Sequence, residues 1–238
     1  MISLIIPCFN EEDNLKKLFN KLSLLLENFP EEKIEIVIVD NGSEDGSNAF
    51  IKKHELFLKN KIRLLEIDKN IGYGDGINKG IHYSKGDVIC WFHADLQFDP
   101  IDSIYIFKKY KDVLSTEEIL IKGKRINRNF FDNLFTFGMT IFTFLLFRKK
   151  IFDINAQPKL FKKSFLKFIV NPPKDFSYDI YFLLIALKNN IKMYEYPVNW
   201  HDRNAGLAKG GGSLKLKFKL TLRTIKYMIT LKKYFKWN

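Results

Sequence analysis

Four times in its first 120 residues the chain sets a short, nearly unbroken Ile/Val run before a longer amphipathic stretch. The runs are residues 2–6, 33–39, 62–67 and 88–92, and the stretches that follow them are 11–28, 44–58, 77–84 and 100–113. In 11–28, Leu15, Leu18, Phe19, Leu22, Leu25 and Leu26 fall on one helical face. Strands that are apolar on both faces need cover on both faces, so the pattern predicts an α/β fold with a parallel sheet between helices. Ligands of such sheets bind at the carboxyl ends of the strands. Polar residues should crowd just after each run, and they do.

The second half is less regular. A strand is expected at 119–122, a very apolar helix at 130–147, a break at Pro172 and Pro173, a helix at 178–187 and a strand at 191–198. A loop rich in glycine and charge spans 200–213. Residues 214–223 alternate like a strand, but Leu222, Ile225, Met228 and Ile229 keep helical spacing, and a helix is expected there. No repeat or low-complexity tract interrupts the chain.

Charge narrows the partners. Lys and Arg outnumber Asp and Glu by 39 to 27, a net charge of +12. Residues 213–238 hold Lys215, Lys217, Lys219, Arg223, Lys226, Lys232, Lys233 and Lys236 with no acid, interleaved with Leu214, Leu216, Phe218 and Ile225. Such a segment suits an anionic bilayer surface; a solvated terminal helix is the plainer reading. No nucleic-acid motif accompanies it, so no nucleic-acid partner is expected. Cys8 and Cys90 lie in apolar runs and are too few for a disulfide framework or a zinc cluster. They read as reduced thiols of a cytoplasmic protein. The apolar start has no basic residues before it and is not expected to be a signal peptide. The longest uncharged run, residues 133–147, is shorter than the roughly 20 residues a spanning helix needs.

The strand ends carry Asn10-Glu11, Asp40-Asn41-Gly42-Ser43, Asn70-Ile71-Gly72-Tyr73-Gly74 and His93-Ala94-Asp95-Leu96-Gln97. Asp40 can accept hydrogen bonds from a ribose or base, or simply hold its own turn. Gly72, Gly74 and Gly76 let backbone approach a ligand closely, although their spacing is not the dinucleotide fingerprint. His93, Asp95 and Gln97 alternate, so on a continuing strand all three would point one way and suit Mg²⁺ or Mn²⁺; a polar loop is the alternative. Lys122, Lys124, Arg125 and Arg128, with Arg203 and Lys209 further on, are natural phosphate partners. Asp179, near a helix start, is open between a general base and a dipole-favoured acid.

In this order the segments resemble the family 2 inverting glycosyltransferases with the GT-A fold. IIPCFNEEDNL, VIVDNGSEDGS and NIGYGDGINKGIHYSKGD resemble that family's opening motifs, while HADLQFDP and EYPVNWHDRNAGLAKGGGS are similar to the dolichyl-phosphate-mannose synthase branch. The resemblance covers about residues 1–213 and implies a mostly parallel, Rossmann-like sheet. It implies a nucleotide-sugar-binding half over 1–98, an acceptor half over 99–213 that includes the apolar 130–147, and a basic amphipathic segment over 214–238.

Carried over by position, Pro7, Asn10, Glu11, Asp40, Asn41, Gly72, Asn78 and Ala94 would line the donor pocket, with Lys209 and Arg203 closing over the phosphates. Asp95, Gln97 and His93 would hold a divalent metal, Mn²⁺ or Mg²⁺. Arg125, Lys124 and Arg128 would meet an acceptor phosphate, and Asp179 stands where many members keep a catalytic acid. Three departures stand out: Asn41 replaces an Asp, His93 replaces the first Asp of Asp-x-Asp, and Ala208 replaces a Ser. The imidazole favours Mn²⁺ over Mg²⁺.

The expected reaction moves a hexose from a GDP-mannose or UDP-glucose type donor to a polyprenyl phosphate at the cytoplasmic membrane face. Attachment is expected to be peripheral or through a membrane partner protein. The rivals are a sugar-hydroxyl acceptor in surface polysaccharide or lipopolysaccharide synthesis, which needs a base such as Asp179, and a non-catalytic nucleotide-sugar binder.

Overall fold

The computed structural model describes residues 1–127, 130–201 and 214–234. A seven-stranded sheet runs through the molecule in the order β3-β2-β1-β4-β6-β5-β7. Its strands are β1 (Ile2–Cys8), β2 (Ile34–Asp40), β3 (Arg63–Glu66), β4 (Val88–Trp91), β5 (Ile119–Ile126), β6 (Lys159–Lys162) and β7 (Lys192–Asn199). β1 pairs in parallel with β2 and β4, and β2 with β3, as the Ile/Val runs require. The sheet is mostly parallel, and the exception is β6, which the sequence pattern missed. It runs antiparallel to both β4 and β5 and joins the regular half to the β5–β7 pair.

The strands of the first half face two cores. Ile2, Leu4 and Ile6 of β1, with Ile36 and Ile38 of β2, pack against α1 (Glu12–Asn28) and α5 (Pro100–Thr116). Ile5, Val37 and Val39 face the other way, toward α4 (Tyr73–Tyr83) and α7 (Tyr178–Lys188). This alternation is what a strand buried on both faces must show. The expected helix over 44–58 is broken into α2 (Ser47–Lys53) and α3 (Glu55–Leu58), because His54 takes an extended conformation and its imidazole caps Leu56 N.

α6 (Phe130–Phe147) packs along α8 (Leu214–Tyr234), where Thr143 Oγ1 lies 3.7 Å from Met228 Sδ. Met228 and Leu231 are buried in the same core as Trp91, so α8 belongs to the fold rather than trailing from it. α6 presents threonines as well as apolar side chains to the core. Thr140 and Thr143 point inward and bond to Ile151 O, Thr136 O and Met139 O. Leu134, Phe137 and Leu145 face outward, 54%, 57% and 59% exposed. The helix is thus apolar on both sides: Met139, Phe142, Leu146 and Phe147 pack against the core, and a second apolar stripe lies on the surface. Among the described residues no helix is long and apolar enough to cross a membrane.

Candidate active site

Two loops after β1 and β2 are locked to each other. Asn10, in the left-handed region at φ 52°, accepts Glu44 N on its Oδ1 at 2.7 Å and donates its own N–H to Ser43 Oγ at 3.0 Å. Glu11 N donates to Ser47 Oγ at 3.0 Å, and Glu11 Oε2 accepts Asn14 Nδ2 at 2.6 Å. Asp40 accepts Ser43 N at 3.0 Å and Asn48 Nδ2 at 2.7 Å, one on each oxygen. Pro7 pairs with Val39 just below. The structure thus brings Pro7, Asn10, Glu11 and Asp40 together. Of the two readings of Asp40, it displays the turn-holding one, since both oxygens serve the loop.

Asn41 has a local reason to be an amide. Its Nδ2 donates to Gly72 O at 3.1 Å and toward Asn70 Oδ1 at 3.3 Å, two acceptors that an Asp in its place would repel. The glycines beyond it need a correction. Gly72, at φ 143°, and Gly74 make room for protein, not for a ligand: a Cβ on Gly72 would sit 2.1 Å from Lys174 O, and one on Gly74 2.4 Å from Pro173 O. Asn78 Oδ1 accepts Tyr178 Oη at 3.4 Å, and Ala94 is buried.

His93, Asp95 and Gln97 are not on a strand. β4 stops at Trp91, and Leu96 adopts a left-handed φ of 61°, which breaks the alternation. The loop nonetheless turns His93 Nδ1 toward Asp95 Oδ2, 3.8 Å away. That is too long for a hydrogen bond and admits one divalent cation between carboxylate and imidazole. Gln97 does not offer its amide oxygen there. Oriented so that both amide atoms are satisfied, it donates to Asp95 Oδ2 at 3.1 Å and accepts Trp200 Nε1 at 3.2 Å. Its expected place as a ligand is corrected to that of a brace for Asp95. Among the described residues no three His, Cys, Asp or Glu side chains converge, so a cation at Asp95 and His93 would draw further ligands from a bound diphosphate.

Behind His93 lies a buried polar chain that sequence reading missed. Tyr73 stacks on Phe176, with ring centroids 4.8 Å apart, and its hydroxyl lies 2.8 Å from His93 Nε2. Gln157 Nε2 donates to that hydroxyl at 3.2 Å and reaches Asp179 Oδ1 at 3.5 Å. Asp179 is 3% exposed and closely ion-paired with Lys159, which has no exposure at all. Burial lowers the Lys159 pKa even beside this carboxylate, and burial together with Asp179 raises that of Tyr73 well above its ordinary value. Tyr73 was hidden inside a glycine motif. Gln157 and Lys159 lie in a stretch with no periodicity to flag it.

The basic cluster is corrected at two positions. Arg125 is committed to Asp153 through its backbone N–H and its Nε, each at 2.9 Å, and stacks over Trp200 at 4.8 Å. It is not open to an acceptor phosphate. Lys122 is buried against Glu195 at 3.1 Å, whereas Lys124 is largely exposed. Arg128, Arg203 and Lys209 lie outside the described residues. Between α6 and α8, Leu134, Gly138, Met139, Phe142, Thr221 and Ile225 line an apolar cleft of about 260 Å³.

Residues 3–112, which hold the locked loops and the His93–Asp95 pair, match the family described as glycosyl transferase family 2. That region is similar to a glycosyl transferase family 2 domain. Its relatives include a dolichyl-phosphate beta-glucosyltransferase of Dictyostelium discoideum, 26% identical over 84% of this chain and 66% of the relative. They also include a dodecaprenyl-phosphate galacturonate synthase of Rhizobium johnstonii, 25% identical over 97% of this chain and 68% of the relative. The chain thus spans about two thirds of each relative's length. Among solved structures, glucosyl-3-phosphoglycerate synthase from Mycobacterium tuberculosis, in complex with Mn²⁺, UDP and glucosyl-3-phosphoglycerate, superposes with a TM-score of 0.72. It shares 12% identity over 98% of this chain and 79% of that one, a likeness of fold. The seven-stranded sheet is accordingly a GT-A fold.

Proposed function

We propose that this glycosyltransferase moves a hexose, with inversion at the anomeric carbon, from a nucleotide sugar to a polyprenyl phosphate at a membrane surface. Asp179 is the observation that carries the choice of acceptor. A sugar hydroxyl must lose a proton to a base as it attacks, whereas a phosphate monoester is already anionic at neutral pH. The carboxylate that the sequence offers as base is buried and spent on Lys159. The Dictyostelium and Rhizobium relatives, a dolichyl-phosphate glucosyltransferase and a dodecaprenyl-phosphate galacturonate synthase, support the same acceptor class.

In this reading the loops built on Asn10, Glu11, Asp40 and Asn41 form the wall of the donor pocket. Asp95 and His93 would hold a divalent cation, Mn²⁺ in preference to Mg²⁺, which when bound offsets charge on the departing nucleoside diphosphate. Arg203 and Lys209 would add positive charge to the same phosphates, and Lys124 with Arg128 would meet the acceptor phosphate. The outward stripe of α6, the cleft beside it and the lysines of α8 support peripheral attachment to the cytoplasmic leaflet, with the polyprenyl chain along the apolar face. Equal activity with Mg²⁺ and Mn²⁺ at matched concentrations would count against His93 as a ligand.

The test is Asp179→Asn assayed at saturating Mn²⁺ with a short polyprenyl phosphate, alongside a melting curve. The proposal expects a fall of less than about tenfold. A collapse of about 10²-fold or more in a folded variant would mean base catalysis and a hydroxyl acceptor.

A further inference from the structure

The chain from Asp179 to His93 ends at the atom that would meet a cation, and its protons can be counted. The Tyr73 hydroxyl has one proton to give. Gln157 Nε2 lies 3.2 Å from that hydroxyl, 3.5 Å from Asp179 Oδ1 and 3.3 Å from His93 Nε2. Its two protons can serve the hydroxyl and the carboxylate, both of which accept. Asp179, held by Lys159, accepts only and reaches the Tyr73 hydroxyl through Gln157. A cation on Nδ1 requires the neutral ring to carry its proton on Nε2, and the Tyr73 hydroxyl 2.8 Å away is placed to accept it. A neutral imidazole protonated on Nε2 keeps its lone pair on Nδ1, and Nδ1 is the atom that faces Asp95.

We propose that Tyr73 is a positioning residue for the divalent cation: with Asp179 and Lys159 behind it, it holds His93 in the tautomer and orientation that present Nδ1 to a metal beside Asp95. This rests on the donor-site reading above and gives Asp179 a different part, acting on a metal ligand through a phenol rather than on the acceptor. Outer partners that fix a ligating histidine in this way typically change metal affinity by 10–100-fold.

Mn²⁺ binding, followed by electron paramagnetic resonance of the free ion in the presence of UDP, tests this without turnover. Tyr73→Phe keeps the ring stacked on Phe176 and is expected to weaken Mn²⁺ by about 10–100-fold. In a His93→Ala background it is expected to add nothing, because the ligand it positions is gone. Asp179→Asn paired with Lys159→Met, which removes both buried charges together, is expected to match Tyr73→Phe at an unchanged fold. Unaltered affinity in Tyr73→Phe, or an effect equally large without His93, would overturn the proposal. A wild-type protein that binds no Mn²⁺ with UDP present would overturn the donor-site reading itself.

Discussion

Phe137 and Leu145 are the cleanest place to perturb membrane attachment. Both lie on the outward stripe of α6, 57% and 59% exposed, while Thr143 on the opposite side is fully buried. Full burial of a Phe or Leu side chain contributes roughly 1.5–3 kcal/mol. With a little over half of each side chain left for the bilayer to cover, each contributes about 1 kcal/mol on insertion. Phe137→Ser with Leu145→Ser should thus cost about 2 kcal/mol of membrane affinity, a drop of roughly 30-fold in the partition coefficient. Co-sedimentation with anionic vesicles at low salt reads this directly. The melting temperature should hardly move, because the exposed part of these side chains gains little on folding. A partition unchanged by the double variant, in a protein that otherwise binds vesicles, would refute the reasoning. So would a loss of folding in place of a loss of binding.

The buried pair of Lys159 and Asp179 should behave asymmetrically: Lys159→Met alone strands a carboxylate and should cost about 3–5 kcal/mol in urea unfolding, while Lys159→Met with Asp179→Leu should recover most of it. Equal losses in the two would contradict the pairing. Gly72→Ala forces a Cβ to 2.1 Å from Lys174 O at a φ of 143°, so it should lower the melting temperature by several degrees; a neutral result would mean the 173–175 segment does not pack there. Burial, with Asp40 and Glu11 adding to it, pushes the Cys8 thiol from 9.0 to about 12. A raised folded pKa gives stability that is present below pH 9 and lost as pH rises toward 12. Over that window Cys8→Ala should flatten the fall in stability by about 1.4 kcal/mol per pH unit, and an unchanged slope would refute it.

How much of this was legible in the sequence depended on whether a signal was local. The strands β1, β2 and β4 could be read because burial on both faces leaves short, largely apolar runs, and α1 because its Leu and Phe residues repeat on one face. β6 could not, since a four-residue strand with Lys at both ends looks like surface; the distant Asp179, with Ala156 O, lets Lys159 be buried. The alternation of His93, Asp95 and Gln97 suggested a strand that the left-handed Leu96 ends. Glycine announces a close approach without naming what approaches, so Gly72 pointed to a ligand where the partner is Lys174. Arg125 read as free positive charge for the same reason: its partner Asp153 lies 28 residues on, in a stretch with no pattern of its own. The order of the motifs, by contrast, carried the family and the fold, because that order follows the strand ends one after another.

The most direct measurement incubates the protein with Mn²⁺, a short polyprenyl phosphate and a panel of labelled UDP- and GDP-sugars, then counts label extracted into organic solvent. The account predicts label in the organic phase with one of these donors, dependent on the polyprenyl phosphate and reduced by His93→Ala or Asp95→Ala. Donor turned over while all label stays in water, at every donor tested, would contradict a polyprenyl-phosphate acceptor.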